Sequence, residues 1–154
     1  EKTHSTLVLV GPFEDSLDPV SETTRKQILE HPRIKAVGYQ QDVRLFFALS
    51  DALVFPSYRE GFPNVVMQAG AMGLPAIVSN INGCNEIITD RENGLIIPKK
   101  DTVALYRAMH LVQEDRALYE TLEATARPAI VERYERQKMW ILIQQEYQSL
   151  LANT

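Results

Sequence analysis

The stretch ALVFPSYREGFPNVVMQAGAMGLPAIV, residues 52–78, contains two short apolar runs on either side of a helix-length segment. Residues 52–55 and 76–78 are continuous apolar runs, the pattern of strands that are buried on both faces of a sheet. Residues 64–72 predict a helix that ends before Gly73, because glycine is favoured just beyond a helix and a proline follows two residues later. A strand, a helix and a second strand in this order predict a parallel βαβ unit.

The alternation of apolar runs and helical segments continues on both sides of this unit. It is typical of an α/β protein with a doubly wound, mostly parallel sheet and helices on both faces. The first further helix is predicted to begin at Asp18 as its cap. The last fifth of the chain is helical only, and such a tail either packs on its own sheet or reaches another domain. The further predicted strands are residues 6–10, 34–38 and 95–97, and the further helices are residues 18–30, 42–50, 101–113 and 116–126, with one or two more in 131–151.

Composition and charge exclude several classes of function. A length of 154 residues makes one domain the default, with a real core. A net charge of −4 argues against a nucleic-acid or anionic-membrane surface, because both need a basic excess. The single cysteine, Cys84, and three scattered histidines provide no disulfide framework and no metal-ligand spacing, so structural zinc is not expected. Nothing near Cys84 in sequence marks it as a nucleophile.

The segment after the predicted strand 52–55 is the strongest candidate for a binding site. Ligands of open α/β sheets bind beyond the carboxyl ends of the strands. The next helix begins at Pro63 with no Ser, Thr or Asp before it, so its first amides lack a side-chain cap and can bind an anion. Gly61 allows close approach to the backbone, and Glu60 can accept hydrogen bonds from hydroxyl groups. Gln68 lies about one turn inside the helix.

Each candidate residue also has a structural interpretation, which the residues alone leave open. Glu60 and Gln68 are also compatible with a solvated surface. Tyr39, after the predicted strand 34–38, either stacks on a base or covers a sheet edge. Gly70 costs a helix about 1 kcal/mol, so packing or ligand approach must compensate for it. Glu86 is best interpreted as a helix-start carboxylate that the helix dipole favours.

Residues 51–63, DALVFPSYREGFP, resemble the donor-site segment of retaining glycosyltransferases with the two-domain GT-B fold, in the group usually called family 4. In that family the C-terminal domain binds the nucleotide-sugar donor and the N-terminal domain binds the acceptor. The resemblance implies that residues 1–154 are such a donor-binding domain, a Rossmann-like half of the GT-B fold, in a piece of a longer protein without the acceptor domain. It covers residues 6–115 and continues in order through residues 69–78, 82–88 and 93–98 and the helix after Asp101.

The activity that the resemblance implies is sugar transfer with retention. The donor is expected to be a UDP-linked sugar, either a hexose or an N-acetylhexosamine. The acceptor is expected to be a growing polysaccharide or a lipid-linked oligosaccharide, as in bacterial capsule and O-antigen assembly. No metal and no further cofactor are expected, and nucleic acid is not an expected partner. The expected location is the cytoplasm, at the inner face of the membrane, with peripheral membrane association through the missing half. Residues 1–154 alone are expected to be inactive.

The resemblance also assigns roles to individual residues. Glu60 is the first acid of the family's E-x7-E motif and is implied to be catalytic, binding hydroxyls of the transferred sugar. Gln68 stands where the second acid binds the ribose, and an amide has only one acceptor oxygen. Pro63 replaces a common glycine and has no N–H. The residues implied to bind the donor are the base-pocket residues Gly38 and Tyr39, the loop and helix-start residues Gly61, Phe62, Pro63, Asn64 and Val65, and Gln68.

Two other functions remain as alternatives. A noncatalytic nucleotide-sugar-binding module would explain the altered residue Gln68. A sugar-nucleotide epimerase with the GT-B fold would need acid and base groups in the cleft, and the sequence identifies none.

Overall fold

The computed structural model describes residues 5–16 and 19–152. The chain divides into two compact units, Glu1–Phe46 and Phe47–Thr154. Strands pair in parallel within each unit, with helices between them and a helical C-terminal stretch. The predicted α/β class, the parallel pairing and the helical tail are therefore confirmed.

The first unit contains two parallel strands, β1 (Leu7–Val10) and β2 (Ile34–Gly38), joined by helix α1 (Glu22–Glu30). The helix begins later than predicted, because the Ser21 hydroxyl accepts a hydrogen bond from the Thr24 backbone N–H at 3.1 Å and caps it there. The predicted cap, Asp18, lies outside the described residues.

The burial predicted for β1 is wrong. Its apolar run predicts a strand that is buried on both faces, yet Leu7 is 36% exposed and Val10 is 40% exposed. None of the described residues of this unit is buried. Two strands and one helix cannot cover both faces of a sheet, so the run forms a strand without two-sided burial.

A short helix, α2 (Arg44–Ala48), spans the boundary between the two units in sequence. It is shorter than the predicted residues 42–50, because the Asp42 carboxylate accepts a hydrogen bond from the Arg44 N–H at 3.0 Å at the start of the helix. The apolar residues Val43, Phe46, Phe47 and Leu49 predict one buried face for this helix. Phe47 is buried, whereas Leu49 follows the helix end and is 83% exposed. The predicted burial of Leu49 is therefore wrong.

The second unit is built on a three-stranded parallel sheet in the order β3-β4-β5. The predicted βαβ unit of residues 52–78 forms its first half, β3-α3-β4. All four residues of the central strand β4 are buried. The strands are β3 (Leu53–Phe55), β4 (Ala76–Ser79) and β5 (Gly94–Ile97), and the helices are α3 (Asn64–Ala71), α4 (Cys84–Ile87), α5 (Thr102–Glu114), α6 (Arg116–Tyr134) and α7 (Arg136–Ala152).

Alternate residues of β4 pack into two separate hydrophobic clusters, one on each face of the sheet. Ala76 and Val78 belong to one cluster, and Ile77 between them belongs to the other. Helices therefore cover both faces, as predicted. The first cluster also contains Val66, Cys84, Ile87, Ile88 and Ile130, and the second also contains Leu95, Ile97, Ala108 and Leu122.

Helix α6 is continuous where the sequence predicts a break. Pro128 lies inside it and is exposed, as is Ala124, whose carbonyl would otherwise accept the missing hydrogen bond. An interior proline costs a helix about 3 kcal/mol. Leu122 and Ile130 are both buried on the opposite side, and such burial contributes about 1.5–3 kcal/mol for each side chain. Packing thus outweighs the local preference.

Helix α7 forms the end of the described chain, and none of its residues is buried. Trp140 and Leu142 are 56% and 58% exposed. Helix α7 therefore does not pack on the sheet of its own unit, whereas the earlier part of the tail does, through Ile130 and Tyr134 of α6.

Gly70 lies in α3 where that helix meets α6. A Cβ atom added there would lie 2.7 Å from Ile130 Cγ1. Packing against α6, and not ligand approach, therefore explains a glycine inside this helix.

We expect the added methyl of Gly70→Ala to overpack the contact at a cost of about 1–3 kcal/mol. Alanine's higher helix propensity returns about 1 kcal/mol, so the free energy of unfolding of the second unit should fall by a net of about 0–2 kcal/mol. Urea unfolding measures the change. In an Ile130→Ala background the same substitution should become neutral or stabilising. A Gly70→Ala chain that is more stable than the parent would contradict the packing interpretation.

Candidate functional site

The loop between β3 and α3 lies at the carboxyl end of β3 and contacts the loop that follows β4. The contact is made at Gly83, whose φ is +77°. A Cβ atom at this position would lie 2.4 Å from the Gly61 carbonyl oxygen and 2.9 Å from Pro63 Cδ. Gly83 is therefore required both by its backbone conformation and by the close approach of the two loops.

Glu60 is half-buried in the first of these loops. The Ser57 hydroxyl donates a hydrogen bond to Glu60 Oε1 at 2.7 Å, which fixes the orientation of the carboxylate. The carboxylate also lies near the buried thiol of Cys84. Burial, with a smaller contribution from the Glu60 charge, raises the pKa of Cys84 to about 11. Cys84 is therefore a neutral thiol at neutral pH, which agrees with its sequence interpretation.

The N-terminus of α3 has no side-chain cap, as the sequence predicts. Pro63 is the N-cap residue, and no side-chain hydrogen bond caps the first amides. The Pro63 carbonyl accepts a hydrogen bond from the Val66 N–H at 3.1 Å, so the third amide of the helix is satisfied by the backbone. Asn64 is exposed and Val65 is half-buried. The first amides of α3 are thus directed away from the helix, and the positive end of the helix dipole lies at the same place, four residues after Glu60.

Glu86 has the structural role that the sequence favours. Its side-chain oxygen Oε1 accepts a hydrogen bond from the Gly83 N–H at 3.2 Å. This bond closes the first turn of α4 and holds the Gly83 backbone against the Gly61 carbonyl.

Sequence reasoning missed Tyr134, the last residue of α6. Its hydroxyl donates a hydrogen bond to the Glu86 carbonyl at 2.9 Å. Its ring makes an edge-to-face contact with Phe62, with centroids 5.4 Å apart and ring planes at 67°. The sequence did carry a signal: Leu122, Ala126 and Ile130 are spaced four residues apart, and Tyr134 continues the series. The predicted end of the helix at residue 126 concealed it.

The structure brings some of the predicted site residues together and leaves others apart. Glu60, the residues 61–65 and Gln68 lie in one unit. Gln68 is exposed on α3, one turn beyond Asn64 and on the same side of the helix. Gly38, with a φ of +68°, and Tyr39, 75% exposed, belong to the first unit.

The described residues provide neither a cluster of metal ligands nor a membrane-spanning helix. Within residues 5–16 and 19–152, no three or more His, Cys, Asp or Glu side chains are grouped so that they could hold a metal ion. Across the same part of the chain, no helix has the length and the apolar character that crossing a bilayer requires.

The chain is similar to proteins of known activity and to solved structures. A family model described as "Glycosyl transferases group 1" matches residues 1–115. The capsular polysaccharide biosynthesis glycosyltransferase CapM of Staphylococcus aureus is 26% identical over 148 residues, which are 96% of this chain and 39% of CapM. The UDP-Gal:alpha-D-GlcNAc-diphosphoundecaprenol alpha-1,3-galactosyltransferase of Escherichia coli is 35% identical over 86 residues, 56% of this chain and 22% of that protein.

Among solved structures, HepE of Anabaena in complex with UDP superposes with a TM-score of 0.80 at 22% identity. The match covers 97% of this chain and 41% of that chain. The chain thus spans about two fifths or less of the length of all three proteins.

We expect Gly83→Ala to destabilise the second unit by about 1–3 kcal/mol more than Gly73→Ala does, because only the former forces two backbones apart. Gly73 is the matched control: its φ is +83°, and a Cβ added there would have nothing within 4 Å. Both substitutions carry the strain of a left-handed residue, about 1–2 kcal/mol. Urea unfolding of the two variants measures the difference. Equal losses would show that the contact with Gly61 contributes nothing.

Proposed function

Because the chain belongs to the group 1 glycosyl transferases, we propose that it binds the nucleotide-sugar donor of a retaining sugar transferase with the GT-B fold. The observation that carries the proposal is the pairing of Glu60 with the uncapped start of α3 at the carboxyl end of β3. A carboxylate for hydroxyl groups and a set of free amides for an anion are the two elements that a sugar diphosphate requires.

The diphosphate binds at the start of α3 in this proposal. The amides of Phe62, Asn64 and Val65 donate hydrogen bonds to its oxygens, and the helix dipole favours its negative charge. Pro63 has no N–H, so one contact that a glycine would make is absent. Gly61, where a Cβ would meet nothing within 4 Å, leaves open space for the donor beside the backbone.

Glu60 binds the transferred sugar. Ser57 donates to Oε1, so we assign Oε2 to the sugar hydroxyls. These hydrogen bonds hold the sugar while its bond to the diphosphate breaks. The acceptor attacks from the face that the diphosphate leaves, and the departing diphosphate takes the acceptor proton. The protein then contributes positioning and electrostatic stabilisation, with no metal in the proposed mechanism.

The nucleotide is proposed to be UDP, with Gln68 of the second unit at the ribose. The E. coli relative is named for a UDP-linked donor, and the HepE structure contains UDP. The exposure of Gln68 leaves its side chain available for this contact.

The whole protein is proposed to act on a polysaccharide or a lipid-linked oligosaccharide. The support is the names of the relatives: CapM acts in capsular polysaccharide biosynthesis, and the E. coli enzyme is named for a diphosphoundecaprenol-linked acceptor. Because this chain spans only part of each relative, the acceptor is assigned to a further domain of the intact protein.

A noncatalytic nucleotide-sugar-binding module is the second candidate, and Gln68 is the observation that favours it. An amide in place of the family's second acid weakens one expected donor contact. Binding of UDP-sugars by an intact protein that transfers none of them would support this candidate.

We expect Glu60→Gln in the intact protein to lower sugar transfer about ten- to a hundredfold, because it weakens hydrogen bonds to a charged acceptor worth about 1.5–3 kcal/mol. The fold should be unchanged, since glutamine still accepts from Ser57. Steady-state kinetics and circular dichroism measure the two effects. Glu114→Gln, an exposed carboxylate at the end of α5, is the matched control. Unchanged kcat and KM in Glu60→Gln would show that Glu60 is only a surface carboxylate.

We expect Gln68→Ala to weaken UDP and the UDP-sugar equally, by about 0.5–1.5 kcal/mol, because a neutral hydrogen bond to the shared ribose is lost. Calorimetry with both ligands measures the loss. Gln68→Glu should retain binding, since it restores the family's usual acid, although its charge lies near the diphosphate. Gln113→Ala, an exposed glutamine of α5, is the control. Parental affinity of Gln68→Ala for both ligands would place the ribose elsewhere.

A further inference from the structure

We propose that Tyr134 is a positioning residue of the donor site. It holds the loop of residues 60–63 and the turn of residues 83–86 in a fixed position relative to each other. The inference rests on the proposed function, because the first of these segments is the one assigned to the donor. Tyr134 lies more than 70 residues further along the chain than the loop it contacts, at the last position of α6.

The ring of Tyr134 fixes the donor loop through Phe62. The two rings meet edge to face at 5.4 Å, a preferred aromatic arrangement. Phe62 is 39% exposed, so solvent reaches part of its ring, and Tyr134 contacts another part. Phe62 stands between Gly61 and Pro63, the N-cap of α3. A Phe62 ring that lost this contact would free the backbone that carries the proposed donor amides.

The hydroxyl of Tyr134 fixes the second segment. It donates to the Glu86 carbonyl at 2.9 Å, while the Glu86 carboxylate accepts from the Gly83 N–H at 3.2 Å. Gly83 in turn packs on the Gly61 carbonyl. The contacts thus form a closed circuit that runs from Tyr134 to Phe62 and Gly61, across to Gly83 and Glu86, and back to the Tyr134 hydroxyl.

The circuit is anchored to the core by α6. Ile130, one turn before Tyr134, is buried and packs on Gly70 of α3. The Arg133 guanidinium lies over the Tyr134 ring at 5.0 Å and covers it. Tyr134 therefore stands on a helix that is fixed to α3, the helix whose first amides are assigned to the diphosphate. Since its hydroxyl is engaged by the Glu86 carbonyl, its assigned role is positioning.

The test uses two substitutions that separate the ring from the hydroxyl. Tyr134→Phe keeps the ring contact and removes the hydrogen bond, whereas Tyr134→Leu removes both. Tyr106→Leu is the matched control, because Tyr106 also makes an edge contact, with His110 at 5.9 Å, on α5. All are made in the intact protein. Peptide hydrogen exchange follows residues 60–66 and 83–88, and steady-state kinetics follow the donor.

Tyr134→Leu is expected to speed amide exchange in both segments about tenfold and to lower kcat/KM for the donor about tenfold at an unchanged kcat/KM for the acceptor. Tyr134→Phe is expected to speed exchange in residues 83–88 alone and to recover most of the donor kcat/KM. Tyr106→Leu should leave all of these values at the parental level. A structural role alone would lower the melting temperature while the folded enzyme kept its kinetic constants.

Two results would overturn the proposal. One is parental exchange in residues 60–66 of Tyr134→Leu, and the other is faster exchange there with an unchanged donor kcat/KM.

If the parental protein itself neither binds nor transfers a UDP-sugar, that result contradicts the proposed function. The exchange data then decide whether Tyr134 orders the two segments, and faster exchange in residues 60–66 of Tyr134→Leu but not of Tyr134→Phe or Tyr106→Leu would sustain that assignment.

Discussion

The close approach of Gly83 to the Gly61 carbonyl is the constraint on which the geometry of the site depends. No side chain fits between the two backbones, so the loops after β3 and β4 have one relative position. Glu86 holds one side of the contact, and Pro63, buried at the start of α3, stands against the other. The direction of the first amides of α3 follows from that position.

The parts of the fold that local chemistry determines were predictable from the sequence. Residues 52–78 carry two apolar runs, and Gly73 ends the helix between them, so each signal lies beside the element it defines. The uncapped start of α3 was equally predictable, because a cap is a property of one or two neighbouring residues. The structural role of Glu86 was predictable from its position at the start of a short helix, where the helix dipole favours a carboxylate.

The parts that depend on distant contacts were not predictable in the same way. Pro128 predicts a break in α6. The helix continues because Leu122 and Ile130 are each buried in a different hydrophobic cluster, which only the structure shows. Tyr134 enters the site through that continuation. The exposure of β1 was not predictable for a different reason. An apolar run shows that a strand can be buried, but it does not show how many neighbouring elements cover that strand.

The presence of α6 in both hydrophobic clusters has a thermodynamic consequence. Its Leu122 packs with residues on one face of the sheet and its Ile130 with residues on the other. Neither face can lose its packing without loosening the helix that the other face needs. The free energies of the two clusters are therefore coupled through one rigid element, and the sheet of the second unit with the helices that pack on it should melt as a single cooperative body in which no half survives alone.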